Sequence, residues 1–160
     1  HARDSFQGVF GLGLGREFVE AIKAAEAVNA KLIPFDREQS ETLRRLQGIP
    51  LTTVLGAVAR VTNLRVPPPS ALLDIMQDPS IMTMGVEKIS ERFKNRDVVD
   101  AVVTWLDTLF PEPIDVLIHQ RDRLMADGLL ALPPCTKAVA VVGVGHLSGI
   151  EDLWNEAQLK

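Results

Sequence analysis

The sequence predicts a single α/β domain in which a small sheet is flanked by many helices, with helix exceeding strand. Two short runs, Lys31 to Phe35 and Ala138 to Val142, are rich in the apolar residues that form buried strands. Most of the remaining chain carries apolar residues at helical spacing. At 160 residues, with 46% hydrophobic content, the chain is long enough for one sizeable core and too short to favour two.

Composition excludes several classes of function. The net charge is -4 and the Lys and Arg residues are scattered, so we expect no nucleic-acid partner. The single cysteine, Cys135, excludes an internal disulfide framework and a cysteine-rich zinc site. The uncharged run from Gly48 to Ala59 is well short of the roughly 20 residues that a spanning helix needs. We therefore expect no transmembrane segment.

The N-terminal quarter predicts a loop, a helix and a strand. Residues 8–15 hold the densest glycine cluster of the chain, which predicts a loop. From Arg16 to Val28 the apolar residues fall on one helical face, and Asn29 is a plausible C-cap. Lys31 to Phe35 then reads as a short strand, and Pro34 within it predicts an edge position.

Two charged residues follow this first predicted strand. Asp36 is followed three residues later by Gln39, which resembles an N-terminal capping arrangement. We therefore predict that Asp36 is a helix cap in preference to a catalytic acid. An arginine in a first helical turn opposes the helix dipole. Arg37 is therefore predicted to face solvent or to pair with an acid.

The middle of the chain reads as a helical insertion covering about residues 48–112. Four segments carry apolar residues at helical spacing: Gly48 to Ala59, Ala71 to Met76, Met84 to Phe93 and Val98 to Phe110. Pro111 and Pro113 then end one helix and begin another, which is predicted over Ile114 to Leu130.

Arg121 lies within the apolar stripe of this last helix, with Asp122 at its margin. Burying a guanidinium without a partner is severely unfavourable, so Arg121 is predicted to meet a carboxylate or the anion of a ligand. An internal ion pair and a functional role are both open. His119 and Arg123 fall off the stripe and are predicted to be solvated.

The second predicted strand leads into a candidate site. Gly143 and Gly145 after Val142 would permit a sharp turn, and a capping box opened by Ser148 predicts that a helix follows. This arrangement would place His146 at the carboxyl edge of the sheet, where open α/β sheets bind ligands. The alternative is that His146 only satisfies a hydrogen bond in a tight turn. The glycines also suggest dinucleotide binding, but too little chain follows for a second strand.

Four motifs now stand in order along the chain. They are a glycine followed by Glu17 and Phe18; DRxxxxTLxR, with Asp36, Arg37, Thr42, Leu43 and Arg45; RDxxM, with Arg121, Asp122 and Met125; and GxxHxxG, with Gly143, His146 and Gly149. In this order they resemble the TraB family, which is similar in fold to TIKI metalloproteases, erythromycin esterases and ChaN-like proteins.

The resemblance implies a metal-dependent hydrolase. In it His146 would be a metal ligand or general base, and Arg121 would stabilise a developing anion. Asp36 and Arg37 would complete a polar wall. The cofactor would be a divalent metal such as manganese, cobalt or zinc.

Two departures from the family pattern lead to an alternative. The family opens with another glycine–histidine motif and a glutamate, neither of which lies upstream of Gly8, and Gln120 stands where many relatives carry a glutamate. We therefore expect that the N-terminal part of the family fold is missing and that the site in this chain is incomplete. The alternative is a non-catalytic structural or interaction subunit of a larger assembly.

The small predicted sheet also bears on partners, because its uncovered edge calls for another subunit or for self-association. The resemblance fits an intracellular protein, and cytosol, mitochondrion and plastid are all compatible with it.

Overall fold

A computed structural model describes residues 16–62, 67–78, 95–134 and 137–159, and these contain helices without a strand. The helices are α1 (Arg16–Ala27), α2 (Gln39–Gln47), α3 (Leu51–Thr62), α4 (Ser70–Gln77), α5 (Arg96–Leu109), α6 (Pro111–Ile114), α7 (Gln120–Leu130) and α8 (Val144–Gln158), with a π-helical turn, Asp115–His119, between α6 and α7. The glycine-rich residues 8–15, the helix predicted at Met84 to Phe93, and Cys135 lie outside the described residues.

The predicted α/β fold with a small sheet is therefore wrong. Residues 31–35 and 138–142 are irregular, without a ladder to a neighbouring strand. A strand needs a hydrogen-bonded partner, and a short apolar run specifies neither the partner nor the register. Val139 is 77% exposed, so its run is not the doubly buried strand that its composition suggested.

Several helix predictions are confirmed, although their ends move. Asn29 has a φ of 52°, the left-handed conformation that terminates a helix, just past α1. The helix predicted from Gly48 begins only after Pro50. Asn95 caps α5 by accepting a hydrogen bond from the backbone N–H of Asp97 at 3.0 Å.

The predicted cap at Asp36 is wrong. The residue preceding α2 is Glu38, and its side chain makes no capping bond. Arg37 also precedes the helix, so it does not lie in a first helical turn. The carboxylate of Asp36 instead accepts a hydrogen bond from the backbone N–H of Arg37 at 2.6 Å, which shapes the segment that leads into α2.

The π-helical turn changes which residues α7 buries. Such a turn holds one residue more than an α-helical turn, so every later position moves round the helix by one. Periodicity continued from Ile114 puts Arg121 on the buried stripe and Asp122 at its margin. The structure has the reverse: Asp122 is 3% exposed and the Arg121 side chain is 24% exposed.

The start of α8 corrects a further prediction. The helix begins at Val144, so His146 lies in its first turn and Ser148 does not cap it. Ser148 Oγ instead donates to Asp100 Oδ2 at 2.6 Å, which links α8 to α5. Gly143 has φ −64° and ψ 140°, a conformation open to any residue, so no glycine turn is needed there.

Internal contacts divide the chain into two compact units. One takes in His1–Pro34 and Pro134–Val141, and its described part holds α1. The other takes in Phe35–Pro133 and Val142–Lys160 and holds α2 to α8. The single domain and the helical insertion at about 48–112 stay predictions.

The core of the second unit lies between α7 and α8. Its buried residues are Met125, Ala126 and Ile150. Phe35, Leu129, Val142 and Leu153 pack around them. A search of the described residues found no helix long and apolar enough to cross a membrane.

Candidate functional site

A buried histidine–carboxylate pair joins α7 to α8. His146 Nδ1 lies 2.6 Å from Asp122 Oδ1, and the two side chains are only 9% and 5% exposed. A carboxylate can only accept, so the hydrogen bond places a proton on Nδ1 of the imidazole. No hydrogen bond of Nε2 occurs within the described part of the chain, so this atom presents an unused lone pair whenever the ring is neutral.

Gly149 makes this pair sterically possible. A Cβ at that position would collide with Oδ2 of Asp122 and would lie 2.8 Å from its Cγ. A Cβ at Gly145, in the same helix, would lie 3.7 Å from Cγ1 of Val99, an ordinary contact. The last glycine of GxxHxxG is thus required by the approach of the Asp122 carboxylate to α8.

An ion pair between Asp36 and Arg121 confirms the prediction that Arg121 meets a carboxylate. Arg121 donates from Nε to Oδ1 at 3.0 Å and from Nη2 to Oδ2 at 2.6 Å, a bidentate geometry. Its Nη1 donates to the backbone oxygen of Leu117 at 3.0 Å. The guanidinium is therefore anchored both to the segment before α2 and to the π-helical turn.

The electrostatics connect this ion pair to the histidine. Burial alone would raise the pKa of Asp36, but the hydrogen bond and charge of Arg121 outweigh burial and lower it. The charge of His146 acts in the same direction. Asp36, Arg121, Asp122 and His146 thus form one electrostatic cluster, assembled from segments that are far apart in the sequence.

A second cluster surrounds Gln120. Its Oε1 accepts hydrogen bonds from Arg37 Nη1 at 3.0 Å and from Arg45 Nη1 at 2.8 Å. Its Nε2 donates to Asp115 Oδ2 at 2.7 Å. Arg37 Nη2 also donates to the backbone oxygen of Val116 at 3.1 Å. Burial and the charges of neighbouring arginines lower the pKa of Arg37.

The other predicted motif residues have structural positions. Met125 is 2% exposed in the core between α7 and α8. Thr42 is buried in α2, where its Oγ1 lies 3.4 Å from the backbone oxygen of Glu38. Glu17 lies in the first turn of α1, in the other unit. His119 is 37% exposed beside Asp107, and Arg123 pairs with Asp115.

Sequence reasoning missed the partnership of Asp122 with His146. It also missed the backbone oxygens of Val116 and Leu117, which anchor the two arginines. The nearest signal in the sequence was the carboxylate of RDxxM followed later by the histidine of GxxHxxG. Spacing alone could not pair them, because the π-helical turn sets which side of α7 faces α8.

The described residues do not fit the divalent metal that the resemblance implies. Among them there is no group of three or more His, Cys, Asp or Glu side chains that could hold an ion. The Asp36 carboxylate is bound to Arg121, and the Asp122 carboxylate is bound to His146 Nδ1. A metal site usually needs about three protein ligands.

The structure defines a helical unit in which the neighbouring helices α7 and α8 enclose a histidine–carboxylate pair. The sequence model of the TraB/PrgY/gumN family matches residues 69–159, more than half of the chain, and this stretch includes both RDxxM and GxxHxxG. The chain belongs to the TraB/PrgY/gumN family, as the motifs predicted. Searches of curated proteins and of solved structures found no match.

Proposed function

We propose that the chain carries the reaction centre of a hydrolase in which His146 is the general base. The observation that carries the proposal is the buried hydrogen bond of 2.6 Å between His146 Nδ1 and Asp122 Oδ1. A carboxylate in this position fixes the tautomer and the orientation of an imidazole. Asp122 is therefore a positioning residue, and Nε2 is the atom that accepts a proton.

The chemistry needs only water and an ester or amide. Nε2 of His146 takes a proton from water while the water oxygen forms a bond to the carbonyl carbon of the substrate. The bond from that carbon to the leaving oxygen or nitrogen then breaks. The leaving atom receives the proton back from Nε2, and the carboxylate of Asp122 stabilises the imidazolium that exists between the two transfers.

Arg121 and Asp36 support this centre. Because Arg121 donates to both oxygens of Asp36, its charge is already balanced, so direct stabilisation of a developing anion is the lesser part of its role. The pair holds the segment before α2 against the π-helical turn. In the proposal, Asp36 and Arg37 form the polar wall beside the imidazole.

The primary test is hydrolysis of a panel of model esters and amides. Replacing His146 with Gln is expected to lower kcat/KM by at least about 100-fold, the usual contribution of a general base. His119→Gln is the matched control, because His119 also neighbours a carboxylate, Asp107 at 3.2 Å, but is exposed. Equal losses in the two variants, or equal activity in wild type and His146→Gln, would contradict the proposal.

A divalent metal is tested separately, by calorimetry. Manganese, cobalt and zinc are titrated into the wild-type chain and into His146→Ala. Since the described residues contain no group of three or more side chains that could ligate a metal, we expect neither protein to bind these ions at micromolar concentration. Tight binding that disappears in His146→Ala would make His146 a metal ligand and overturn its role as general base.

One observation favours the second candidate function, an interaction subunit of a larger assembly. Helix α3 exposes three apolar residues at helical spacing: Leu51 at 71%, Leu55 at 61% and Val58 at 52%. Such a stripe is typical of a helix that packs against another subunit or a second copy. This candidate function suits a protein of the cytosol, the mitochondrion or a plastid equally.

Light scattering over a concentration series tests self-association through this stripe. Leu55→Glu is expected to reduce the mass of any assembly, because it places a charge at the centre of the stripe. Val139→Glu is the control, since Val139 is also an exposed apolar residue, at 77%, but lies in the other unit. A constant monomer mass in wild type, Leu55→Glu and Val139→Glu would show that the protein does not self-associate.

A further inference from the structure

Two guanidinium groups converge on one neutral oxygen at the N-terminus of α7. Arg37 comes from the segment before α2 and Arg45 from within α2, and both donate to Oε1 of Gln120, at 3.0 and 2.8 Å. The distance of 2.8 Å is typical of a charge-assisted hydrogen bond to a carboxylate, and 3.0 Å is slightly longer. The oxygen that receives them carries only the partial charge of an amide.

The surrounding charges leave this position electropositive. Asp36 is engaged by Arg121, and the single carboxylate of Glu41 is shared between two arginines of α2. Arg37 forms no ion pair with any described residue. Burial is the main cause that lowers the pKa of Arg37, and the charges of Arg45 and Arg121 act in the same direction, against those of Glu41 and Asp36.

We propose that Arg37 and Arg45 bind a carboxylate of the substrate, which takes the position that the Oε1 of Gln120 now occupies. An amide and a carboxylate have the same planar shape, so the side chain of Gln120 marks where the carboxylate oxygen lies. When it is displaced, Gln120 keeps its hydrogen bond to Asp115, at 2.7 Å from Nε2. Its Oε1 gives up both arginine donors, but Gln120 is only half-buried, so water can hydrogen-bond to that oxygen.

The position suits substrate recognition at the proposed centre. Arg37 directly follows Asp36, whose carboxylate responds to the charge of His146, and Gln120 lies two residues before Asp122. An ester or amide that carries a carboxylate elsewhere in the molecule could thus be anchored while its reacting carbonyl reaches the imidazole. This inference names a substrate class, so it rests on the proposed function.

A carboxylate fits better than a phosphate. The same guanidinium of Arg37 that donates to Gln120 also donates to the backbone oxygen of Val116 at 3.1 Å, so an acceptor already lies beside the position. An acceptor there repels a further anionic oxygen. A group with two oxygens avoids this contact more readily than one with three or more.

The test is a titration followed by amide and side-chain NMR shifts, with acetate, succinate and inorganic phosphate as probes at constant ionic strength. We expect saturable binding of the carboxylates, with shifts centred on Arg37, Arg45 and Gln120. Arg37→Gln should weaken binding at least about tenfold, since it removes one of the two donors. Gln120→Glu should weaken it as much, because a carboxylate then occupies the position permanently.

Arg44→Gln is the control. Arg44 lies in the same helix as Arg45 and shares Glu41 with it, but makes no bond to Gln120. If Arg44→Gln and Arg37→Gln weakened carboxylate binding equally, the binding would depend only on the overall surface charge, and the inference would be overturned. No saturable binding to wild type would do the same, and tighter binding of phosphate would overturn the carboxylate assignment.

The readout is binding, so it separates this inference from the proposed function. Carboxylate binding that persists in His146→Gln, without turnover in wild type, would sustain the anchoring site and defeat the hydrolase. Turnover of neutral and carboxylate-bearing esters at equal kcat/KM would defeat the anchoring site and sustain the hydrolase.

Discussion

Two regions of the second unit hold charged contacts of nearly the same length in opposite surroundings. Between α7 and α8, Asp122 and His146 approach to 2.6 Å with less than a tenth of either side chain exposed. On α2, Glu41 meets Arg45 at 2.7 Å and Arg44 at 2.8 Å, but the Arg44 side chain is 72% exposed. Water and salt screen the second region and not the first. The contribution of each contact to stability therefore follows from its burial and not from its distance.

The largest effect is expected from Gly149→Ala. The added Cβ would collide with the Asp122 carboxylate, so α7 and α8 must separate or the buried pair must break. We expect the free energy of unfolding to fall by about 3 kcal/mol, the upper end for overpacking a core. Chemical denaturation measures it.

Gly145→Ala is the control for that change. Its Cβ makes only an ordinary contact in the same helix, so replacing glycine is expected to leave stability unchanged or raise it by up to about 1 kcal/mol. Equal destabilisation of both variants would mean that α8 is intolerant of substitution in general, and that Asp122 does not determine the need for Gly149.

Asp122→Ala is expected to have the next largest effect. It leaves Nδ1 of a buried histidine without its acceptor, which costs about 1–3 kcal/mol. Asp122→Asn should cost less, because the amide oxygen can still accept the hydrogen bond. Denaturation of the two variants and the wild type tests the order, and a more stable Asp122→Ala would show that the pair does not stabilise the fold.

Asp36→Asn is expected to have a smaller effect that depends on pH. The pKa of Asp36 is lowered in the folded protein, so its contribution is present above the usual pKa of 3.8 and is lost as pH falls through the lower folded value. The carboxylate is 40% exposed, so we expect the loss at neutral pH to be at most about 1 kcal/mol.

Unfolding of wild type and Asp36→Asn at neutral pH and well below pH 3.8 measures this dependence. The difference between the two proteins should shrink at the acidic condition. A difference that grows on acidification would have the wrong sign for a carboxylate with a lowered pKa.

The smallest effect is expected from Glu41→Gln. Hydrogen bonds from Arg44 and Arg45 lower the pKa of Glu41 to about 2, yet this side chain lies at the surface, where solvent screens the contact. Thermal unfolding should barely change, and added salt should abolish what difference exists. A loss as large as that of Asp122→Ala would break the distinction between the two regions.

Local patterns in the sequence predicted the helices well and the sheet wrongly. The amphipathic spacing of Arg16–Ala27 and Arg96–Leu109 is a property of each segment alone, so periodicity suffices to find them. A strand is defined by its neighbour. The apolar run at 138–142 carries no information on whether a neighbour exists, and in the described part of the chain it has none.

In the candidate site, the sequence predicted a contact when leaving the side chain unpaired would be energetically unfavourable. It did not predict a contact that depends on how two helices are rotated. Arg121 needed an anion, and Asp36 supplies it. The pairing of Asp122 with His146 instead depends on the π-helical turn that rotates α7, and periodicity does not reveal that turn. The requirement for Gly149 became evident only once the carboxylate was placed against α8.

The most direct test of the central claim is the nitrogen-15 and proton NMR spectrum of the His146 imidazole, in wild type and in Asp122→Ala. We expect the neutral form of the ring to carry its proton on Nδ1, in a hydrogen bond to Asp122, with the lone pair of Nε2 unused. The Nδ1 signal should then change strongly in Asp122→Ala. A ring protonated on Nε2, with the same spectrum in both proteins, would contradict the pair and the general base that it orients.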